Sequence, residues 1–375
     1  MDRLAGGERM IRRAAAALAI ACLSLAAQAA TVTDIAGRTV KVPDQVNRIL
    51  LGEGRLFYSL ALLEGKKPFA RLAGWQGDFR QLDPQSYALY RERFPEIDKV
   101  PLIGKSSEAS VSAEKILTLK PDVAIFSITG HGPSLNSPIV KQLQAAKVPV
   151  VFVDFRVKPL ENSVPSMRIM GKALHREAEA ERFVRFYQSR MDAVRKVAAA
   201  IPAKDKPTVF LDLRAGMFTA PTTAGKGNLG ELIDAAGGRN IADQMLKDSV
   251  GEANMEHVLA MKPDVYIGTG TGAANAQSGI KFGAEITPQM ARDSLKAAAQ
   301  RMPVGALQAV RDGRTFGAWH HFYNTPYHIV LLEAFARELQ PKRFAKLDPE
   351  ASWQKLHAEF LAIPAKGTYW VKGQP

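Results

Sequence analysis

From residue 49 onward, short apolar runs alternate with stretches in which apolar positions recur every three to four residues. Segments 49–51, 123–126, 148–154, 208–213, 265–268 and 314–318 have the length and β-branched content of buried strands. Segments 56–64, 139–146, 229–236, 329–339 and 353–362 carry the helical spacing. Alternation of this kind predicts parallel sheets covered by helices on both faces, an α/β fold.

One strand–helix unit occurs twice. Residues 112–126 read SAEKILTLKPDVAIF and residues 254–268 read NMEHVLAMKPDVYIG, with Glu, Leu, Lys-Pro-Asp-Val and Ile at matching places. Ser112 and Asn254 suit an N-cap, and Glu114 and Glu256 fall in the first turn, where the helix dipole favours an acid. Pro121 and Pro263 should end the helices, because proline disfavours α geometry in the residue before it. Copies this far apart are too distant for a solenoid and predict two related lobes, residues 30–160 and 204–375. Between them lies a bridging helical segment, 161–203. Its second part, 177–200, has neither Pro nor Gly and spaces Phe183, Phe186, Tyr187, Met191 and Val194 helically. A single helix there makes a stiff bridge.

The first 29 residues read differently. Arg3, Arg9, Arg12 and Arg13 precede the uncharged apolar run 14–27, and Ala27-Gln28-Ala29 matches a small-x-small cleavage site. This pattern predicts a signal peptide and a periplasmic protein. Cys22 follows Leu18-Ala19-Ile20-Ala21, with Leu one position too early for a lipoprotein site, so no lipid anchor is expected. Losing the leader removes that one cysteine and lowers the formal net charge from +13 to +11.

A surplus of this size could attract an anionic partner. Export and the lack of a basic run interleaved with aromatics argue against nucleic acid. The sequence contains no G-x-S-x-G, P-loop, H-E-x-x-H or paired C-x-x-C. Gly268-Thr269-Gly270-Thr271-Gly272 lacks the spacing of a dinucleotide loop. Instead, polar groups recur just beyond predicted strands, where open parallel sheets bind ligands. They are Arg55 in Gly52-Glu53-Gly54-Arg55, His131, Arg156 after VVFVD and Arg214 after VFLDL. Lys105 and the loop GWQGDFR, with Trp75 and Arg80, join the candidates. Guanidinium suits carboxylate and other anionic oxygens. The segment 319–328 (WHHFYNTPYH) reads either as a packed aromatic corner or as a ligand wall of Trp319, His320, His321 and Tyr323. Adjacent histidines do not easily face one metal, so no direct protein–metal site is expected.

Together, the duplicated x-x-E-x-x-L-x-x-K-P-D-V segment, the bridging helix, the export signal and the opening Asp34-Ile35-Ala36-Gly37-Arg38-Thr39-Val40-Lys41-Val42-Pro43 resemble one family. It is that of the periplasmic binding proteins of ABC importers for iron–siderophore, haem and cobalamin. The resemblance implies two Rossmann-like lobes with mainly parallel sheets, bridged by a single long helix, in a monomer with no intrinsic cofactor. It also implies that Glu114 and Glu256 dock on a permease served by a cytoplasmic ATPase. With Arg55, Arg80, Lys105, Arg156 and Arg214 near the cleft, the expected ligand is an anionic iron(III) chelate of siderophore type. Haem or cobalamin is the alternative within the class. An exported enzyme, or a sensor read by a membrane receptor, is the alternative outside it.

Overall fold

The computed structural model describes residues 30–272 and 278–373. The expected leader, with Cys22, lies outside the described residues. Within them, no helix is long and apolar enough to cross a membrane.

A hairpin, β1 (Ala30–Thr33) and β2 (Thr39–Val42), opens the chain. β3 (Ile49–Leu51), β4 (Leu72–Gln76), β5 (Leu102–Gly104), β6 (Val123–Ser127) and β7 (Val150–Val153) then form a wholly parallel sheet, ordered β5-β4-β3-β6-β7. Its strands are largely apolar because both faces are covered, with Gln76 and Ser127 at the carboxyl ends of β4 and β6 as exceptions. Ile49, Leu51, Val123, Ile125, Val151 and Val153 enter the main core. Leu50, Ala124, Phe126, Val150 and Phe152 alternate with them and meet Ile116, Val140 and Leu143 of two helices on the other face.

The second lobe contributes β8 (Thr208–Asp212), β9 (Thr222–Ala224), β10 (Arg239–Asn240), β11 (Val250–Glu252), β12 (Val265–Gly270), β13 (Thr315–Trp319) and β14 (Trp370–Lys372). Five of these form the sheet β10-β8-β12-β13-β14, parallel except for β14 at its edge. β9 and β11 pair separately and antiparallel.

The repeat is structural as well as textual. Ser112 and Asn254 each accept a hydrogen bond from the backbone N–H three residues on, at 3.2 and 3.0 Å, capping the helices Ala113–Thr118 and Met255–Met261. Each helix gives way at the lysine before the proline, Lys120 or Lys262, which turns left-handed at φ 46° or 48°. The following aspartates do matching work. Asp122 accepts from Asn47 N and Arg48 N ahead of β3, and Asp264 accepts from Thr208 N at the start of β8. The shared Lys-Pro-Asp therefore stops a helix and pins the neighbouring strand.

The bridge contains more than one helix. Glu177–Ala198 runs 22 residues, about 33 Å at 1.5 Å per residue. Ahead of it, Pro159–Leu174 forms a second helix that packs against it and against β1 and β7, beginning inside the segment expected to belong to the first lobe. The two separate at His175, which is left-handed at φ 53°. One long helix still reaches the second lobe, where Phe183 and Phe186 pack on Phe360 at ring-centroid distances of 5.5 and 5.4 Å. The lobes also share a core directly. Tyr58 meets Trp319 at 5.7 Å, and the Tyr327 hydroxyl donates to the Tyr58 carbonyl at 2.9 Å.

Candidate functional site

A cavity of about 220 Å³ lies between the lobes. Arg55, Leu82 and His131 line it from the first lobe, and Arg214, Met217, Asn228, His320, His321 and Tyr323 are among its lining residues from the second. Chain connectivity explains the convergence. Arg55 follows β3, His131 follows β6, Arg214 follows β8 and His320 follows β13, so each leaves the carboxyl end of a parallel strand. A larger groove, about 670 Å³, runs along β14 and contains none of the expected ligand residues.

Tyr323 is the meeting point. Arg55 Nη1 donates to its hydroxyl at 2.6 Å and Arg156 Nη2 lies at 3.5 Å, with the Arg156 guanidinium 5.1 Å from the ring centre. Both arginines are held from behind by buried acids. Asp78 accepts from Arg55 Nε at 2.8 Å, and Glu53 accepts from Arg156 Nη2 at 3.1 Å. Glu53 also takes the backbone N–H groups of His131 and Gly132, fixing the loop that carries His131. A Cβ at Gly130 would overlap the Glu53 carboxylate, so that position is restricted to glycine. Asp154 accepts from the N–H groups of Arg156, Val157 and Lys158, which sets the turn that presents Arg156. Arg55 Nη2 is buried and has no partner of its own.

Electrostatics follow from burial. Burial pushes Glu53 up, but Arg156 and Arg55 outweigh it and hold the carboxyl below its usual range. Burial, aided by Arg55, lowers His131, and burial with His321 and Arg214 nearby lowers His320 far below its ordinary value. His321 is pushed down to about 3 by burial and by Arg55. All three imidazoles are therefore neutral at pH 7. His321 donates from Nε2 to the Leu82 carbonyl at 2.9 Å, leaving Nδ1 as an acceptor 3.4 Å from Arg55 Nη1.

Seven of the expected ligand residues come together: Arg55, His131, Arg156, Arg214, His320, His321 and Tyr323. Four do not. Trp75 is 2% exposed among Phe57, Phe69 and Phe79, because β4 is covered on both faces. Trp319 is 1% exposed among Tyr58, Phe322 and Tyr369, which makes that part of the segment a packed corner. Arg80 is exposed and lies over the Tyr87 ring, since the helix Asp78–Leu82 turns Asp78 inward in its place. Lys105 is exposed in the turn after β5, where its N–H donates to Ser110 Oγ. Sequence reasoning passed over Glu53 and Asp78, although each stands within two residues of an arginine it did select.

Glu114 and Glu256 are both exposed in the first turns of their helices, where the N-cap reading placed them.

Comparison with known proteins agrees with this architecture. A curated Bacillus subtilis protein, the uncharacterized ABC transporter substrate-binding lipoprotein YvrC, is 24% identical over 177 residues, covering 46% of this chain and 52% of that protein. The match thus spans about half the length of the curated relative. The crystal structure of the TroA-like periplasmic binding protein FepB from Veillonella parvula superposes with a TM-score of 0.81 at 24% identity, covering 92% of this chain and all of that one. The Haemophilus influenzae molybdate-binding protein MolA gives 0.69 at 17% identity, covering 90% and 99%. A family model described as periplasmic binding protein matches residues 84–293, more than half the chain, and the chain belongs to that family.

Proposed function

We propose that the protein captures an anionic iron(III) chelate of siderophore type between its lobes and delivers it to an ABC importer in the bacterial envelope. The observation that carries this reading is the convergence of Arg55 and Arg214 with Tyr323 at one interlobe cavity, with Arg156 lying over the Tyr323 ring beside it. Guanidinium N–H groups and a phenol suit the anionic oxygens that surround a chelated ferric ion. The cavity is below the roughly 300–1,000 Å³ of sites for drug-sized ligands. As folded here, the cleft admits a compact complex or one face of a larger one, which favours a siderophore-type chelate over a macrocycle. Glu114 and Glu256 would set the protein's register on the permease. Native mass spectrometry of protein recovered from its own periplasm tests the reading. An adduct containing iron and an organic chelator supports it; a bound macrocycle, or a simple oxyanion without iron, overturns it.

A further inference from the structure

Two of the three arginines in the cluster are already balanced by buried acids. Arg55 is paired with Asp78, and Arg156 is paired with Glu53, all four being largely buried. Burial pushes the Asp78 carboxyl up, but Arg55 opposes the shift, and Asp78 accepts from both Arg55 Nε and Gly54 N–H, which favours the ionised form paired with Arg55. The three lining imidazoles are neutral. Arg214 alone has no acidic partner among the described residues, and it leaves the site with a surplus of one positive charge.

Its surroundings also differ. The guanidinium rests on the half-exposed ring of Phe218, 4.6 Å from the ring centre, a contact far weaker than a buried ion pair. Its backbone, by contrast, is held firmly. Arg214 is left-handed at φ 53°, and Thr269 fastens the turn by accepting from Arg214 N through Oγ1 and from Ala215 N through its carbonyl. Strained backbone of this kind persists where the surroundings over-determine it, often at functional sites. A fixed base thus carries a weakly tethered cation at the mouth of the cavity. Two arginines are locked in place, and the third can move to a ligand.

We infer that Arg214 reads the charge of the ligand, and that the cleft selects complexes with a single net negative charge over neutral and cationic ones. This inference rests on the proposed capture of an iron chelate. Arg55 and Arg156 contact the ligand's oxygens whatever its net charge, because their own charges are already balanced. Arg214 responds to the charge left over.

Three ferric complexes of one linear trihydroxamate provide the test. With a free terminal amine the complex is a cation; N-acetylation makes it neutral, and N-succinylation makes it an anion. The chelating core is the same in all three. Equilibrium dialysis of wild-type protein should show affinity rising from cation to neutral to anion, by roughly tenfold per charge at low salt. Arg214→Gln should lose most of that gradient, and Arg214→Lys should keep its order. Arg80→Gln, which removes an equal charge outside the cavity, should retain the wild-type gradient. Equal wild-type affinity for all three complexes overturns the inference, as does an undiminished gradient in Arg214→Gln. If none of the three binds wild-type protein while native mass spectrometry still finds a bound iron chelate, the inference fails and the iron-chelate reading stands; if none binds and no iron is found, both fail.

Discussion

Arg55, in the first lobe, donates from Nη1 to the hydroxyl of Tyr323, in the second, at 2.6 Å. This bond spans the cleft, so the same phenol both joins the lobes and lines the site. Tyr323→Phe would leave Arg55 Nη1 with only the longer contacts to the Asn324 side-chain oxygen, at 3.2 Å, and His321 Nδ1, at 3.4 Å, beside an Nη2 that already lacks a partner. Losing an acceptor for a buried cation costs about 1–3 kcal/mol. Thermal melts should therefore show Tyr323→Phe falling by a few degrees without ligand; an unchanged melting temperature would mean that the bond contributes nothing to closure.

Glu53 and Arg156 should behave as one unit. Glu53→Ala strips the acceptor from Arg156 and from two backbone N–H groups, and breaking a buried pair typically costs about 3–5 kcal/mol. Arg156→Ala leaves the buried carboxylate with its two backbone donors but without its paired cation. The double mutant should be less destabilised than the sum of the singles, by about 1 kcal/mol or more in denaturant melts. Simple additivity would show that the two side chains do not depend on each other.

Packing, not ligand contact, governs Trp319. Trp319→Phe keeps most of the ring contacts with Tyr58, Phe322 and Tyr369 and removes a buried Nε1–H that has no partner. Ligand affinity should stay within about twofold of wild type, and melting should fall modestly because a large ring is replaced by a smaller one. A loss of affinity of tenfold or more would return Trp319 to the cleft wall.

The strand and helix pattern was readable because buried parallel strands are apolar on both faces, as at 123–126. Positions just beyond strands were informative for the same reason: Arg55, Arg156 and Arg214 are where sheet geometry sends ligand groups. What the sequence could not convey is which neighbour faces inward. In GWQGDFR the charged pair Asp78 and Arg80 sits on one short helix, and only its orientation decides that Asp78 is buried under Arg55 while Arg80 stays in solvent. Trp75 and Trp319 misled for a related reason, since an indole packs a core as readily as it lines a cleft.

Docking separates a transport component from other uses of the fold. Glu114 and Glu256 are exposed and sit at the same step of a repeated helix start, although the dipole alone accounts for only about 0.3–1 kcal/mol of preference for an acid there. Glu114→Arg combined with Glu256→Arg should leave melting temperature and chelate affinity nearly unchanged. Stimulation of the cognate transporter's ATPase in proteoliposomes should be abolished. Normal stimulation by the double mutant would remove the paired glutamates as the docking contact.

Glu231 links pH to the junction of the lobes. Its carboxylate accepts from Leu160 N at 2.6 Å, at the start of the helix Pro159–Leu174, so a side chain of the second lobe caps a helix that packs on the first. Burial raises its pKa from the ordinary 4.5 to about 7, with the Leu160 N–H opposing the shift. An acid whose folded pKa is raised adds stability that is fully present below its unfolded value and is lost as pH climbs through the folded one. Between pH 5 and 8 Glu231 should therefore become steadily less favourable to the folded state. Glu231→Gln keeps an oxygen for Leu160 N and carries no charge to bury. Its melting temperature should be close to wild type at pH 5 and exceed it by a few degrees at pH 8. The half-buried position allows solvent to screen part of the effect, so the difference should shrink if the site opens. A constant offset across that range would show that Glu231 is already ionised in the folded protein at pH 5.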